Sequence, residues 1–73
     1  MTVNFLFEIT DLNSDYCGEM FFVQLERRSN IDGKTLRKMA SNIASKIAGK
    51  NTIIKCLGPY TDEEAEMMGY DTY

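Results

Sequence analysis

Two stretches near the start of the chain alternate between apolar and polar residues. In residues 3–10 the apolar positions of one parity are Val3, Phe5, Phe7 and Ile9, and Asn4, Glu8 and Thr10 take the other. In residues 19–26 the apolar positions are Phe21, Val23 and Leu25. A period of two is typical of strands with one buried face, so we expect two half-buried strands. The turn-forming residues 11–18 between them predict a hairpin.

Residues 34–48 show the spacing of an amphipathic helix. Their apolar stripe consists of Leu36, Ala40, Ile43 and Ile47, flanked by Met39 and Ala44. Asp32 can accept hydrogen bonds from the first turn, and Gly49 stands where a left-handed C-cap belongs. The pattern predicts one long helix that packs against the strands along this stripe.

Two shorter elements follow the helix. Residues 52–57 form an apolar run that predicts a third strand, which Gly58-Pro59 is expected to end. Thr61 and Glu64 match the capping box, and Gly69 would end the helix that it begins over residues 62–68. Two helical turns are marginal alone, so this segment must dock elsewhere to persist.

The predicted order is therefore β-β-α-β with a possible short C-terminal helix. It indicates an α+β fold, in which a small three-stranded antiparallel or mixed sheet carries the long helix on one face. A chain of 73 residues is the size of one domain, so residues 1–73 are expected to fold as a unit.

Charge is sorted into blocks along the chain. The 8 basic residues all lie between Arg27 and Lys55, whereas the first 26 and the last 18 residues contain acidic residues and nothing basic. The net charge of −3 hides this arrangement. Sorting of this kind predicts surfaces of opposite sign, unless the acidic C-terminal segment lies across the basic helix.

Signatures of chemistry are weak or missing. Without histidine the chain lacks the usual general base and the commonest metal ligand, so we expect no enzyme, no metal and no cofactor. Residues 11–15 begin like a calcium loop, but Tyr16 and Phe22 stand where glycine and glutamate are needed. Cys17 and Cys56 are expected to be free thiols. No apolar run reaches the ~20 residues of a membrane span, and no secretion signal is visible, so a cytoplasmic location is expected.

The long helix has a possible nucleic-acid-binding face. Residues 33–48 resemble the C-terminal helix of double-stranded RNA-binding domains: Arg37 and Lys38 match a basic pair at the helix start, and alanines recur at the packing positions Ala40, Ala44 and Ala48. The resemblance implies phosphate contacts by the basic pair. The corresponding hypothesis is RNA or DNA binding through Lys34, Arg37, Lys38 and Lys46.

A protein partner is the preferred hypothesis. Small acidic chains without catalytic residues resemble phage-encoded inhibitors of host or defence machinery, including anti-CRISPR-type inhibitors. Methionine and tyrosine, which are enriched at interfaces, interleave the acidic C-terminal segment. The candidate binding residues are Asp15, Glu19, Asp62, Glu63, Glu64, Met67, Met68 and Tyr70. A third hypothesis is a homodimer formed by pairing of an exposed strand edge.

Overall fold

The computed structural model describes residues 1–73 as three strands and two helices. In chain order these are β1 (Thr2–Ile9), β2 (Met20–Glu26), α1 (Gly33–Ala48), β3 (Ile54–Tyr60) and α2 (Asp62–Met68). This confirms the predicted α+β fold with one long helix and a short C-terminal one. Neither helix combines the length and the apolar character that crossing a membrane requires.

The sheet is antiparallel and has β1 at its centre. Its strand order is β2-β1-β3, and Phe7 of β1 lies opposite Phe21 on one side and Cys56 on the other. The C-terminal residues extend the sheet beyond β2. Phe22 N–H donates to Asp71 O (2.8 Å), Tyr73 N–H donates to Phe22 O (2.8 Å), and Gln24 N–H donates to Tyr73 O (2.9 Å). The outer edge of β2 is therefore covered by the chain itself.

Helix α1 packs on one face of the sheet through small side chains. Its buried residues are Leu36, Ala40 and Ala44, which contact a sheet surface built largely of phenylalanine. The predicted stripe was wrong at its C-terminal end, because Ile47 is exposed, whereas Ile43 is half-buried and packs against this core as expected. Bulky rings at Phe5, Phe7 and Phe21 fill the space under the helix. The short alanine side chains of α1 leave room for these rings and let the helix lie close to the sheet.

The opposite face of the sheet is also covered. Leu6, Phe22 and Ala65 form a second, smaller core beneath α2, with Met20 and Tyr60 packed beside it. The prediction of half-buried strands was therefore wrong for β1, where even Asn4 is only 1% exposed. Docking of α2 through Ala65 explains how a helix of 7 residues persists.

Strand β3 continues through the residues expected to end it. A β-bulge lies opposite the Leu6–Phe7 step, because Leu6 pairs with Gly58 and Phe7 with Cys56, leaving Leu57 as the extra residue. Pro59 is tolerated since β3 is an edge strand. The Thr10 N–H to Ile53 O bond (3.0 Å) sets the alternation of the ladder, and the extra residue Leu57 shifts it by one, so that the Pro59 nitrogen faces away from β1.

The two glycines after the helices differ. Gly69 has φ 75° and ψ 11°, the left-handed conformation that ends α2. Gly49 has φ 114° but ψ 140°, so the predicted left-handed C-cap of α1 was wrong. Both nevertheless have the positive φ that favours glycine.

Candidate interaction surfaces

Helix α2 is fixed at its start by a complete capping box. Thr61 Oγ1 accepts from Glu64 N–H (3.2 Å), and Glu64 Oε1 accepts from Thr61 N–H (3.1 Å). The Glu64 carboxylate, a predicted partner-binding group, is thus also a structural part of the helix. The confirmed box follows from a pattern visible in the sequence.

Asp62 joins α2 to the sheet. Its Oδ1 accepts from Asn4 Nδ2 (2.7 Å) and Gln24 Nε2 (3.3 Å), and its Oδ2 accepts from the Thr2 hydroxyl. These donors lower the pKa of Asp62, with Thr2 contributing most and Asn4 next. Both oxygens of Asp62 are therefore occupied within the fold. Asn4 is satisfied as well, since its Oδ1 accepts from Gln24 Nε2 (3.1 Å).

The outward side of α2 carries charge around an apolar side chain. With Ala65 buried, the helical period of 3.6 residues places Glu63 and Met67 on the opposite side and Glu66 beside them. Met67 is 88% exposed. Neither Glu63 nor Glu66 is within ion-pairing distance of a basic side chain, since the only ion pair in the molecule joins the Met1 amine to Glu26. This surface, Glu63–Glu66–Met67, is called the α2 patch below.

A polar cleft lies next to the α2 patch. It has a volume of about 550 Å³ and lies between α2, the C-terminal residues and the sheet, with Asn4, Gln24, Asp62, Glu66, Tyr70 and Thr72 among its lining residues. The Tyr70 ring packs against Phe22, with ring centroids 6.1 Å apart. Glu66 and the Tyr70 hydroxyl make no hydrogen bond within the molecule, so both remain available to a ligand. A carboxylate such as that of Glu66 forms its strongest hydrogen bonds with charged donors, so a lysine or arginine side chain is the ligand group that best suits this cleft.

The remaining predicted partner residues are divided between two places. Met68 lies with Tyr60 and Met67 around a separate shallow cavity of about 390 Å³ on α2. Glu19 lines a small cavity with Asp71 and Tyr73. Asp15 is exposed in the turn between β1 and β2. The structure thus brings Glu63, Met67, Met68 and Tyr70 to one end of the fold, whereas Asp15 and Glu19 belong to the hairpin loop.

The basic face of α1 is open. All 8 lysines and arginines are exposed, and none pairs with a carboxylate. Opposite the buried stripe, the helical period places Lys34 and Lys38, with the half-buried Ser41 and Ser45 in the same row. Arg37 is partly engaged, because its Nη2 donates to Cys56 O (3.4 Å) at the edge of β3.

Asp32 caps α1 as predicted. Its Oδ1 accepts from Thr35 N–H (2.7 Å), and this bond, with one from the Thr35 side chain, lowers the pKa of Asp32. The carboxylate therefore remains ionised at the N-terminal end of the helix, where it complements the helix dipole.

The two charged helices lie on opposite faces of the sheet. Helix α1 contacts the face of Phe5, Phe7 and Val23, and α2 contacts that of Leu6 and Phe22. The acidic segment consequently does not cover Lys34, Lys38 or the rest of the basic helix. The molecule presents one acidic helix and one basic helix to different sides, and neither neutralises the other.

Sequence reasoning missed the polar cluster of Thr2, Asn4, Gln24 and Asp62. A weak signal existed. Asn4 lies on the same face of the sheet as Leu6, and Gln24 on the same face as Phe22, and two large apolar side chains there already argued against a face exposed to solvent. The pairing of residues 71–73 with β2 left no comparable signal, since the sequence there lacks alternation.

Comparison with protein-family models, with curated proteins and with solved structures found no match to this chain. The similarity of α1 to the helix of double-stranded RNA-binding domains therefore stays a resemblance. No group of three or more cysteine, aspartate or glutamate side chains is arranged to hold a metal ion.

Proposed function

We propose that the protein is a non-catalytic binding protein that attaches to a basic surface of a protein partner through the α2 patch and the adjoining polar cleft. The observation that carries this proposal is the exposed Met67 among carboxylates that have no basic neighbour within the fold. An apolar centre with a charged rim is the arrangement of many protein interfaces. Inhibition of host or defence machinery, as by phage-encoded inhibitors, is the finer form of this proposal.

The carboxylates of α2 have different roles, and this supports the α2 patch as the binding surface. Asp62 and Glu64 hold the helix in place, which fixes the positions of Glu63 and Glu66. A partner would meet a preorganised helix and would not have to order a flexible segment, which lowers the entropic cost of binding. Long-range attraction between the acidic side and a basic partner would also raise the association rate.

The test is a pull-down with variants that leave Asp62 and Glu64 intact. Glu63→Lys combined with Glu66→Lys reverses the α2 patch, and Asp15→Lys combined with Glu19→Lys makes the same change of charge in the hairpin loop. We expect the first pair to lose a partner that the wild type captures and the second to retain it. Equal capture by all three proteins would refute a role for the α2 patch, and loss only in the loop variant would move the site to the loop.

Nucleic-acid binding by α1 is the second candidate function. It is favoured by the unpaired exposure of Lys34, Lys38 and Lys46 beside small hydroxyl side chains, which let a phosphate backbone approach. Binding of this kind weakens steeply with salt, with a slope of roughly −0.7 to −0.9 for each phosphate contact.

A short RNA duplex and a single-stranded DNA are suitable probes. Lys34→Glu with Lys38→Glu is expected to abolish the salt-dependent binding. Lys50→Glu with Lys55→Glu is the control, because it makes the same change of charge elsewhere on the molecule. Retained affinity in the first variant, or equal loss in both, would contradict a specific α1 site.

A further inference from the structure

The two opposite helices carry complementary surfaces. Between residues 33 and 50 there are 5 basic residues and no acidic one, and between residues 62 and 68 there are 4 acidic residues and no basic one. Since the two helices cover opposite faces of one sheet, they cannot contact each other within the same molecule.

The basic side contains a depression near the end of α1. Its volume is about 430 Å³, and Ser45, Lys46 and Lys50 line it. Serine is short enough to leave the floor open, and the aliphatic stems of the two lysines supply apolar walls below their ammonium groups. This depression is called the α1 socket below.

The α2 patch has the opposite relief and the opposite charge. Met67 projects into solvent, and Glu63 lies one helical turn before it. Methionine is flexible and fills irregular apolar recesses well, and the carboxylates beside it would face the lysine ammonium groups around the α1 socket. Neither surface has another partner inside the fold.

We infer that copies of this protein associate head to tail, with Met67 of one copy in the socket of Ser45, Lys46 and Lys50 of the next. The contact is heterologous, because the two surfaces lie on opposite sides of each molecule. Each added copy presents a free patch and a free socket, so the chain of molecules can extend. The same contact occupies the α2 patch, and self-association therefore competes with binding of a basic partner there.

Sedimentation of the purified protein at low ionic strength tests this inference. The weight-average mass of the wild type is expected to rise with protein concentration beyond that of a dimer. Added salt should lower the association constant by about tenfold, the effect of two exposed ion pairs. A wild type that remains monomeric, or whose mass stops at that of a dimer, would overturn the inference.

Two neutral variants identify the contact. Lys46→Gln with Lys50→Gln weakens the socket, and Glu63→Gln with Glu66→Gln weakens the patch. Each variant alone is expected to associate about tenfold more weakly than the wild type and so to be largely monomeric at a concentration where the wild type just associates. Mixed in equal amounts, they should form one-to-one dimers and nothing larger, because each supplies one intact surface. Arg27→Gln with Arg28→Gln removes the same charge as the socket variant and should associate like the wild type. Growth of the mixture beyond dimers, or loss of association in the arginine variant, would contradict the contact.

The measurement is independent of the proposed function. It uses the purified protein alone, so failure of self-association would leave capture of a foreign partner untouched. Failure to capture a foreign partner would likewise leave self-association untouched. A variant of the α1 socket separates the two, because it weakens self-association and retains the complete α2 patch.

Discussion

The side-chain amide of Asn4 donates a hydrogen bond of 2.7 Å to Oδ1 of Asp62 and so connects the central strand to the first turn of α2. The two residues are 58 positions apart in the sequence. Asn4 is buried, and the hydrogen bonds of its side chain all lie within the polar cluster or reach Tyr60 O. Together with the packing of Ala65 on Leu6 and Phe22, this contact attaches α2 to the sheet and so places the α2 patch.

Replacing Asn4 with alanine is expected to destabilise the fold by about 1–3 kcal/mol, because Gln24 and Asp62 lose a partner and a cavity remains. Denaturation by urea, followed by circular dichroism, measures the change in the free energy of unfolding. Asn42→Ala is the matched control: Asn42 is exposed on α1, and its replacement should change stability by no more than about 0.5 kcal/mol. Equal effects of the two substitutions would show that the cluster contributes nothing.

Asp62 makes stability depend on pH. Its folded pKa is lowered from 3.8 by bonds from Thr2, Asn4 and Gln24, so the unfolded chain takes up the proton first as pH falls. The contribution of Asp62 is therefore complete well above pH 3.8 and is lost as pH falls through 3.8 towards the lower folded value.

Asp62→Asn is expected to flatten this part of the pH profile of the denaturation midpoint. Glu63→Gln, one residue further on, is the matched control, because it also removes one carboxylate from the first turn of α2 but none of the side-chain hydrogen bonds, and Asp62→Asn should flatten the profile more than it does. The slope that remains in Asp62→Asn is expected to include Asp32, whose pKa is also lowered. An unaltered profile in Asp62→Asn would contradict the assignment.

Local patterns were enough to predict the elements of this fold. The capping box at Thr61, the N-cap at Asp32 and the strand β1 each depend on residues close together in sequence, and the structure confirms them, although β1 is buried on both faces. The cover on the second face of the sheet could not be predicted in this way. It results from packing of Ala65 on Leu6 and Phe22, and no local period encodes a contact of that range.

The candidate surfaces were predicted as residues but not as an arrangement. The charge blocks in the sequence indicated surfaces of opposite sign. These surfaces are separated in space because α1 and α2 pack on opposite faces of the sheet. The extension of β3 past Pro59 was missed because it also depends on the arrangement of the strands. Proline is excluded from a strand only where the adjacent strand needs a hydrogen bond from its N–H, and the sequence does not show which strand lies at an edge.

Gly69 is required by the backbone at the end of α2. Its φ of 75° lies in the left-handed region, while a Cβ added there would meet no atom within 4 Å. Gly69→Ala should therefore cost about 1 kcal/mol through the backbone alone. Gly33→Ala is the control, since Gly33 begins α1 without a positive φ and also has open space, so it should be neutral or slightly stabilising. Thermal unfolding of both variants decides the point, and a smaller loss at Gly69 than at Gly33 would contradict it.

Residues 71–73 protect the outer edge of β2. Removing them eliminates three backbone hydrogen bonds and exposes Phe21, whose ring meets that of Tyr73 edge to face at 5.8 Å. The expected loss of stability is about 1–3 kcal/mol at roughly 1 kcal/mol per bond. Hydrogen exchange gives the local readout: the amides of Phe22 and Gln24 should lose protection, while the β1–β3 ladder keeps more of its own. Uniform loss over both ladders would show a global effect only.

The free edge of β3 is guarded against strand pairing. Pro59 directs no N–H outward, the bulge at Leu57 bends the strand, and pairing of two copies about Lys55 would set like charges opposite each other. The homodimer through a strand edge stays a prediction, and these features define how to test it. Lys55→Val with Pro59→Val should produce association that light scattering detects and that added salt does not reverse, because backbone hydrogen bonds and apolar contacts hold it. Lys50→Val removes an exposed lysine away from the edge and should show no salt-resistant association. If the double variant scatters light no more than this control, the edge is not held open by these residues.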